Sequence, residues 1–102
     1  MTVATHLARR VRKISRETEL PALVGAVEYN TGQGVGAHVQ VAGANAAEIE
    51  FIALGILRML EGDLTGVAVD CEECSARWRR VSAAAAILAE GYGDGVSPKG
   101  RC

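Results

Sequence analysis

Aromatic side chains are nearly missing from this sequence, with one Trp, two Tyr and one Phe among 102 residues. Any core must therefore be assembled from Ala, Val, Leu and Ile. Cysteine occurs at three positions, Cys71, Cys74 and Cys102. An odd count with one closely spaced pair excludes a fully paired disulfide framework, so a reducing compartment, the cytoplasm, is expected. No stretch reaches the ~18–20 consecutive apolar residues of a spanning helix. The most apolar run, Ile49 to Leu60, is interrupted by Glu50 and Arg58. At the N-terminus no apolar stretch leads to a small-residue cleavage site, so no secretory signal is expected. Neither sign of charge dominates: eleven basic and twelve acidic side chains leave a net charge of −1. That balance gives no indication of a purely electrostatic nucleic-acid binder.

What remains is a chain that is 49% hydrophobic and 23% charged, sized for one compact domain. We expect that domain over residues 1–91, with a flexible Gly/Pro-rich tail over 92–102. Arginine outnumbers lysine nine to two, and Ala and Gly are abundant, a usage that suggests a GC-rich bacterial or phage genome.

The first segment reads as an amphipathic helix from Thr2 to Arg16. Val3, Leu7, Val11, Ile14 and Thr18 form a narrow stripe at spacings of three and four. Arg9, Arg10, Arg12, Lys13 and Arg16 fill the other faces. Pro21 closes the region, because the residue before a proline is driven out of helical geometry.

From Ala22 to Ala42 the period changes to two. Pairing Tyr29 with Val35 also pairs Val27 with Ala37, Gly25 with Val39 and Leu23 with Val41, placing all eight on one face of a β-hairpin. Val24, Ala26, Glu28, Gly36, His38 and Gln40 share the other face. Asn30 to Gly34 supplies a longer, glycine-rich loop. Two strands are marginal alone and leave raw edges, so a second copy of the chain is expected to complete the sheet.

Asn45 and Glu48 make a capping-box start for a second helix running to about Leu60 and stopping near Gly62. Its broad arc of Ile49, Ile52, Ile56 and Met59 should pack on the eight-residue hairpin face. A second stripe, Ala47, Phe51, Leu54 and Arg58, leaves this helix apolar on two sides. Leu64, Val67, Cys71, Cys74, Trp78, Val81, Ala85 and Leu88 then recur at alternating spacings of three and four, a heptad seam. Asp63 is a plausible N-cap for one long helix through this seam, whereas Gly66 and Val67-Ala68-Val69 suggest a strand within Leu64 to Val69 before a shorter helix from about Cys71; the pattern leaves both open. The fold class is α+β: N-terminal helix, two-stranded antiparallel hairpin, then two helices.

Several patterns invite chemistry. Cys71-Glu72-Glu73-Cys74 has metal-ligand spacing, and Cys102 is the third thiol that zinc would need. With no second pair present, the expected cofactor is none, and both cysteines read as small seam residues. Asp70, Glu72 and Glu73 disfavour a thiolate, which argues against redox activity. Gly32, Gly34 and Gly36 resemble a phosphate cradle, but they open a strand where such fingerprints open a helix. His38 and Glu28 are a lone acid–base pair with nothing else converging on them, and no catalytic constellation is evident.

Ten acids stand against Arg58 alone between Glu17 and Cys74, so basic and acidic surfaces are expected to pair between subunits. Together these readings point to a small non-enzymatic homo-oligomeric binding or interaction protein, a phage or bacterial accessory factor. Its expected interface is Phe51, Leu54, Cys71, Cys74, Trp78 and Val81. A small anionic or nucleotide-type ligand would be held by Arg58, Gly32, Gly34, Gly36, His38, Arg9 and Arg12. The alternatives are a nucleic-acid-binding regulator using the basic first helix, and a zinc-stabilised module. No membrane partner is expected.

Overall fold

The computed structural model describes residues 2–92. Its architecture is a helix, a two-stranded antiparallel hairpin and two further helices: α1 (Val3–Thr18), β1 (Ala22–Thr31), β2 (Gly34–Ala42), α2 (Ala46–Thr65) and α3 (Glu72–Ala89). The chain forms two compact units, Met1–Asn45 and Ala46–Cys102. The single domain expected over 1–91 is therefore described unit by unit. No described helix is long and apolar enough to cross a membrane.

In the first unit α1 begins where Thr2 accepts a hydrogen bond from the Thr5 amide at 3.2 Å, satisfying one of the free N–H groups of the first turn. It ends two residues later than the charge pattern suggested, at Thr18, and Glu19 closes it at φ 58°. The left-handed turn, followed by Pro21, sends the chain straight into β1.

The hairpin register agrees with the alternation over most of its length: Leu23 faces Val41, Gly25 faces Val39, Val27 faces Ala37 and Ala26 faces His38. Near the turn it departs from it. Glu28 pairs with Gly36 and Thr31 with Gly34, so two residues, Tyr29 and Asn30, oppose Val35 alone. The expected Tyr29–Val35 pair is replaced by a β-bulge, and the loop shrinks to Gly32 and Gln33. Gly34, at φ 105°, takes the backbone conformation that a side chain would resist.

α1 packs on this hairpin, on the face opposite the eight-residue row that was expected to receive α2. Val24, Ala26, Glu28, Gly36, His38, Gln40 and Ala42 are half-buried, while the row opposite is exposed except at Leu23. Val27 retains 56% of its surface, Tyr29 69%, Val35 67%, Val39 56% and Val41 36%. The small residues Ala26 and Ala42 leave room for a helix to approach, and the helix stripe is narrow enough to fit. Val11 is the one fully buried large side chain among the described residues.

In the second unit α2 packs against α3, burying Leu54, Leu64, Val81 and Ala85. α2 runs past Gly62 and Asp63 to Thr65 because Leu64 belongs to that buried surface. The segment 66–70 is a turn, with the amides of Val67 and Ala68 bonded to the Leu64 carbonyl, and the strand considered there does not form. The two stripes of α2 are each covered only in part, with Ile49 and Ile52 of the proposed core arc half-buried. Leu54, placed on the outer stripe, is buried, whereas Ile56 and Met59 of the proposed core arc are exposed at 44% and 63%. Tyr92, assigned to the tail, is anchored. Its hydroxyl donates within reach of the Ala47 carbonyl at 3.1 Å and Glu50 Oε1 at 2.7 Å, and its ring lies 5.2 Å from Phe51. Cys102 and the rest of the expected tail lie outside the described residues.

Candidate functional site

Basic residues of α1 recur at 9, 12, 13 and 16, the spacing that aligns side chains along one side of a helix. In the folded unit Arg9, Arg12, Lys13 and Arg16, with Ser15 and Ala42, line an open cleft of about 740 Å³. Ser15 fixes one end of it. Its hydroxyl donates to the Leu20 carbonyl at 2.8 Å, and a Cβ at Gly43 would come within 3.0 Å of the same oxygen. The helix end and the exit of β2 are thereby held close together.

Lys13 has a partner, Glu17 Oε1 at 3.9 Å, in an exposed i,i+4 pair that salt would screen. Among the described residues Arg9, Arg12 and Arg16 carry no ion pair. Three guanidinium groups at helical spacing produce a local positive potential and a set of planar donors suited to phosphate or carboxylate.

The other residues expected to hold a ligand occupy different places. Gly32 lies in the two-residue hairpin turn, and Gly34 opens β2 opposite Thr31. Gly36 lies in β2 opposite Glu28, and a methyl there would meet open space, so it marks no close backbone approach. His38 Nε2 is 2.8 Å from Glu28 Oε1, an interaction that satisfies both groups on the half-buried sheet face. Arg58 belongs to the second unit and binds Glu61 Oε1 at 3.3 Å. The cleft also includes Lys13, Ser15 and Arg16, which sequence reasoning left out of its ligand set. The stripe at 9, 12, 13 and 16 was the available signal, whereas the closeness of Ala42 depends on the turn at Glu19.

The residues expected at a subunit interface divide by burial. Leu54 and Val81 are covered by the chain's own helices, and Phe51, Cys71, Cys74 and Trp78 are half-buried. The Trp78 indole N–H is enclosed without a hydrogen-bond partner among the described residues. Ser82 reaches across from α3 to donate to Glu61 Oε2 on α2. That hydroxyl, with Arg58 adding to it, holds the Glu61 carboxyl below its ordinary range despite the opposing effect of burial.

Cys71 and Cys74 sit at the start of α3. Cys71 is the N-cap, and its sulfur accepts from the Cys74 amide at 3.1 Å. The Cys74 thiol and the amides of Cys74 and Glu73 pull the Cys71 thiol below its ordinary range, outweighing burial and the Glu73 charge. The same thiol contact, together with burial, pushes Cys74 up. The acidic neighbours were expected to suppress a thiolate at both positions. Hydrogen bonds at the helix start reverse that expectation at Cys71. Among the described residues no three His, Cys, Asp or Glu side chains converge as a metal site.

Compared with protein-family models, curated proteins and solved structures, the chain gives no match.

Proposed function

We propose that this chain is a small non-enzymatic binding protein that self-associates and takes an anionic ligand of the phosphate or nucleotide class in the α1 cleft. The observation that carries the reading is the exposed apolar face of the hairpin, from Val27 and Tyr29 across to Val35, Val39 and Val41. A row of mostly β-branched residues on one face of a two-stranded sheet has the composition of a sheet interior. It flanks a unit whose only fully buried large side chain, among the described residues, is Val11. A unit of that size with so small an interior gains stability by burying more apolar surface. A second copy of the same face supplies it through a two-fold contact in which the row packs on itself.

The ligand assignment rests on the unpaired guanidinium groups of Arg9, Arg12 and Arg16. Light scattering during size-exclusion chromatography tests the first half: the native chain elutes as an oligomer and Val39→Asp as a folded monomer. Calorimetric titration with ATP tests the second. Arg12→Ala combined with Arg16→Ala weakens binding at least ~10-fold, the loss of roughly 1.4 kcal/mol or more expected for charge-assisted bonds. A nucleic-acid backbone offers the same phosphates. Were it the ligand, duplex affinity would fall by ~10³ or more between 50 and 200 mM salt, the signature of about six or more phosphate contacts. Failure of both ATP and duplex to bind would remove the ligand assignment.

A further inference from the structure

We infer that Cys71 and Cys74 form a reversible dithiol–disulfide pair, in which Cys71 attacks disulfide substrates and Cys74 resolves the mixed disulfide. Three features of the second unit carry this.

The two cysteines are one helical turn apart, and the Cys74 amide donates to the Cys71 sulfur at 3.1 Å. A disulfide needs close Cβ positions and little backbone movement, and a Cys71 sulfur already seated on the Cys74 backbone lies near what that bond requires. The N-cap position also stabilises negative charge on Cys71, because the free amides of the first turn point at its sulfur. Finally, Cys71 is half-buried but borders an open cleft. It lies in the wall of a cleft of about 410 Å³ with Val69, Asp70, Glu72, Ser75 and Arg79. Val69 is 85% exposed at the rim, and Arg79 Nη1 donates to Ser75 Oγ at 3.0 Å on the far side. Glu73 opposes ionisation of Cys71, and Arg77 favours it at Cys74, but neither reverses the difference between the two thiols.

The reaction balances as ordinary thiol–disulfide exchange. The Cys71 thiolate attacks one sulfur of a disulfide RSSR′, forming Cys71–S–S–R and releasing R′S⁻, which takes up a proton. Cys74 then loses its proton and attacks Cys71 Sγ, expelling RS⁻, which is protonated in turn. The chain loses two protons and two electrons, and RSSR′ is reduced to RSH and R′SH. The oxidant is thus any disulfide that reaches the cleft, a small-molecule disulfide or one carried by a protein.

The test uses the full chain carrying Cys102→Ser, so that only this pair can react. After incubation with oxidised glutathione, mass spectrometry is expected to show loss of two hydrogens and no retained glutathione. Cys74→Ser is expected to hold a single glutathione on Cys71. Cys71→Ser keeps a good capping residue, so the helix survives, and it should form no adduct at neutral pH. Iodoacetamide should modify Cys71 at least ~10-fold faster than Cys74, as befits a lowered and a raised thiol. A second arm, turbidity during insulin reduction with dithiothreitol as the electron source, separates the two substrates. Acceleration abolished by Cys71→Ser assigns protein disulfides, and reaction with glutathione alone assigns small ones. Equal alkylation of the two thiols, or stable glutathione on the otherwise native pair, would overturn the inference. It is independent of self-association and of the α1 cleft, so its failure leaves those readings standing.

Discussion

Single residues show where polar groups stabilise this protein and where they strain it. Glu61 is bound by Ser82 on the facing helix and Arg58 on its own, and its carboxyl is held below the ordinary range. A carboxyl depressed on folding adds stability above its unfolded pKa, and that stability disappears as pH falls through the folded value. Ser82→Ala removes the largest cause of the depression. Its acid-unfolding curve should therefore be less steep than that of the native chain just below the ordinary carboxylate range, measured by urea titration at several pH values. Trp78 presents the opposite case, an enclosed indole N–H without an acceptor among the described residues. Leaving such a donor unpaired costs about 1–3 kcal/mol, so Trp78→Phe should offset its loss of contact area and change stability by less than roughly 1 kcal/mol. Leu54→Ala has no such compensation and should cost about 2–4 kcal/mol. A large loss at Trp78 would show that the indole has an acceptor after all.

At the scale of elements, two backbone positions set how the first unit is assembled. Glu19 closes α1 in the left-handed region, where a side chain is strained and glycine is not. Glu19→Gly should stabilise the chain by roughly 0.5–1 kcal/mol, read from the urea midpoint. Gly43, at φ 66° and against Ser15 Oγ, is the reverse. Gly43→Ala should destabilise by about 1–2 kcal/mol, and Ser15→Ala should recover only the steric part of that loss.

The elements also differ in how legible they were. Alternation over 23–28 and 36–41 fixes hairpin register, because a one-residue slip would turn every side chain over. The bulge at Tyr29–Asn30 breaks that rule locally, and no periodicity announces it. The end of α2 was misplaced because Gly62 and Asp63 read as a stop, while Leu64 is held in the helix by burial on α3. The heptad seam was continuous in sequence, yet a turn at 66–70 divides it. Leu64 belongs to α2, and Cys74, Trp78, Val81, Ala85 and Leu88 to α3. Which face of the hairpin α1 would choose was not legible at all, since either face offers small or apolar residues. The cleft was half legible: the basic stripe follows from helical spacing, but the arrival of Ala42 beside it depends on tertiary turns.

For the whole molecule, charge and apolar surface point to different partners. The cations gather on α1 beside an open cleft, whereas the exposed valines and Tyr29 lie across the sheet from it. A copy docked on the valine row would leave the cleft accessible, so association and anion binding can coexist. Self-association that favours the folded state makes melting depend on protein concentration, and the melting temperature should rise as the chain is concentrated. Val39→Asp should abolish that rise while altering monomer stability by less than about 0.5 kcal/mol, as befits an exposed position.

Sedimentation equilibrium of the unaltered chain, over a dilution series through the micromolar range, bears most directly on the idea that the hairpin is completed by another copy. The account predicts a weight-average mass of at least twice 10.7 kDa at the upper end, falling toward one chain on dilution. A mass of one chain at every concentration would contradict it.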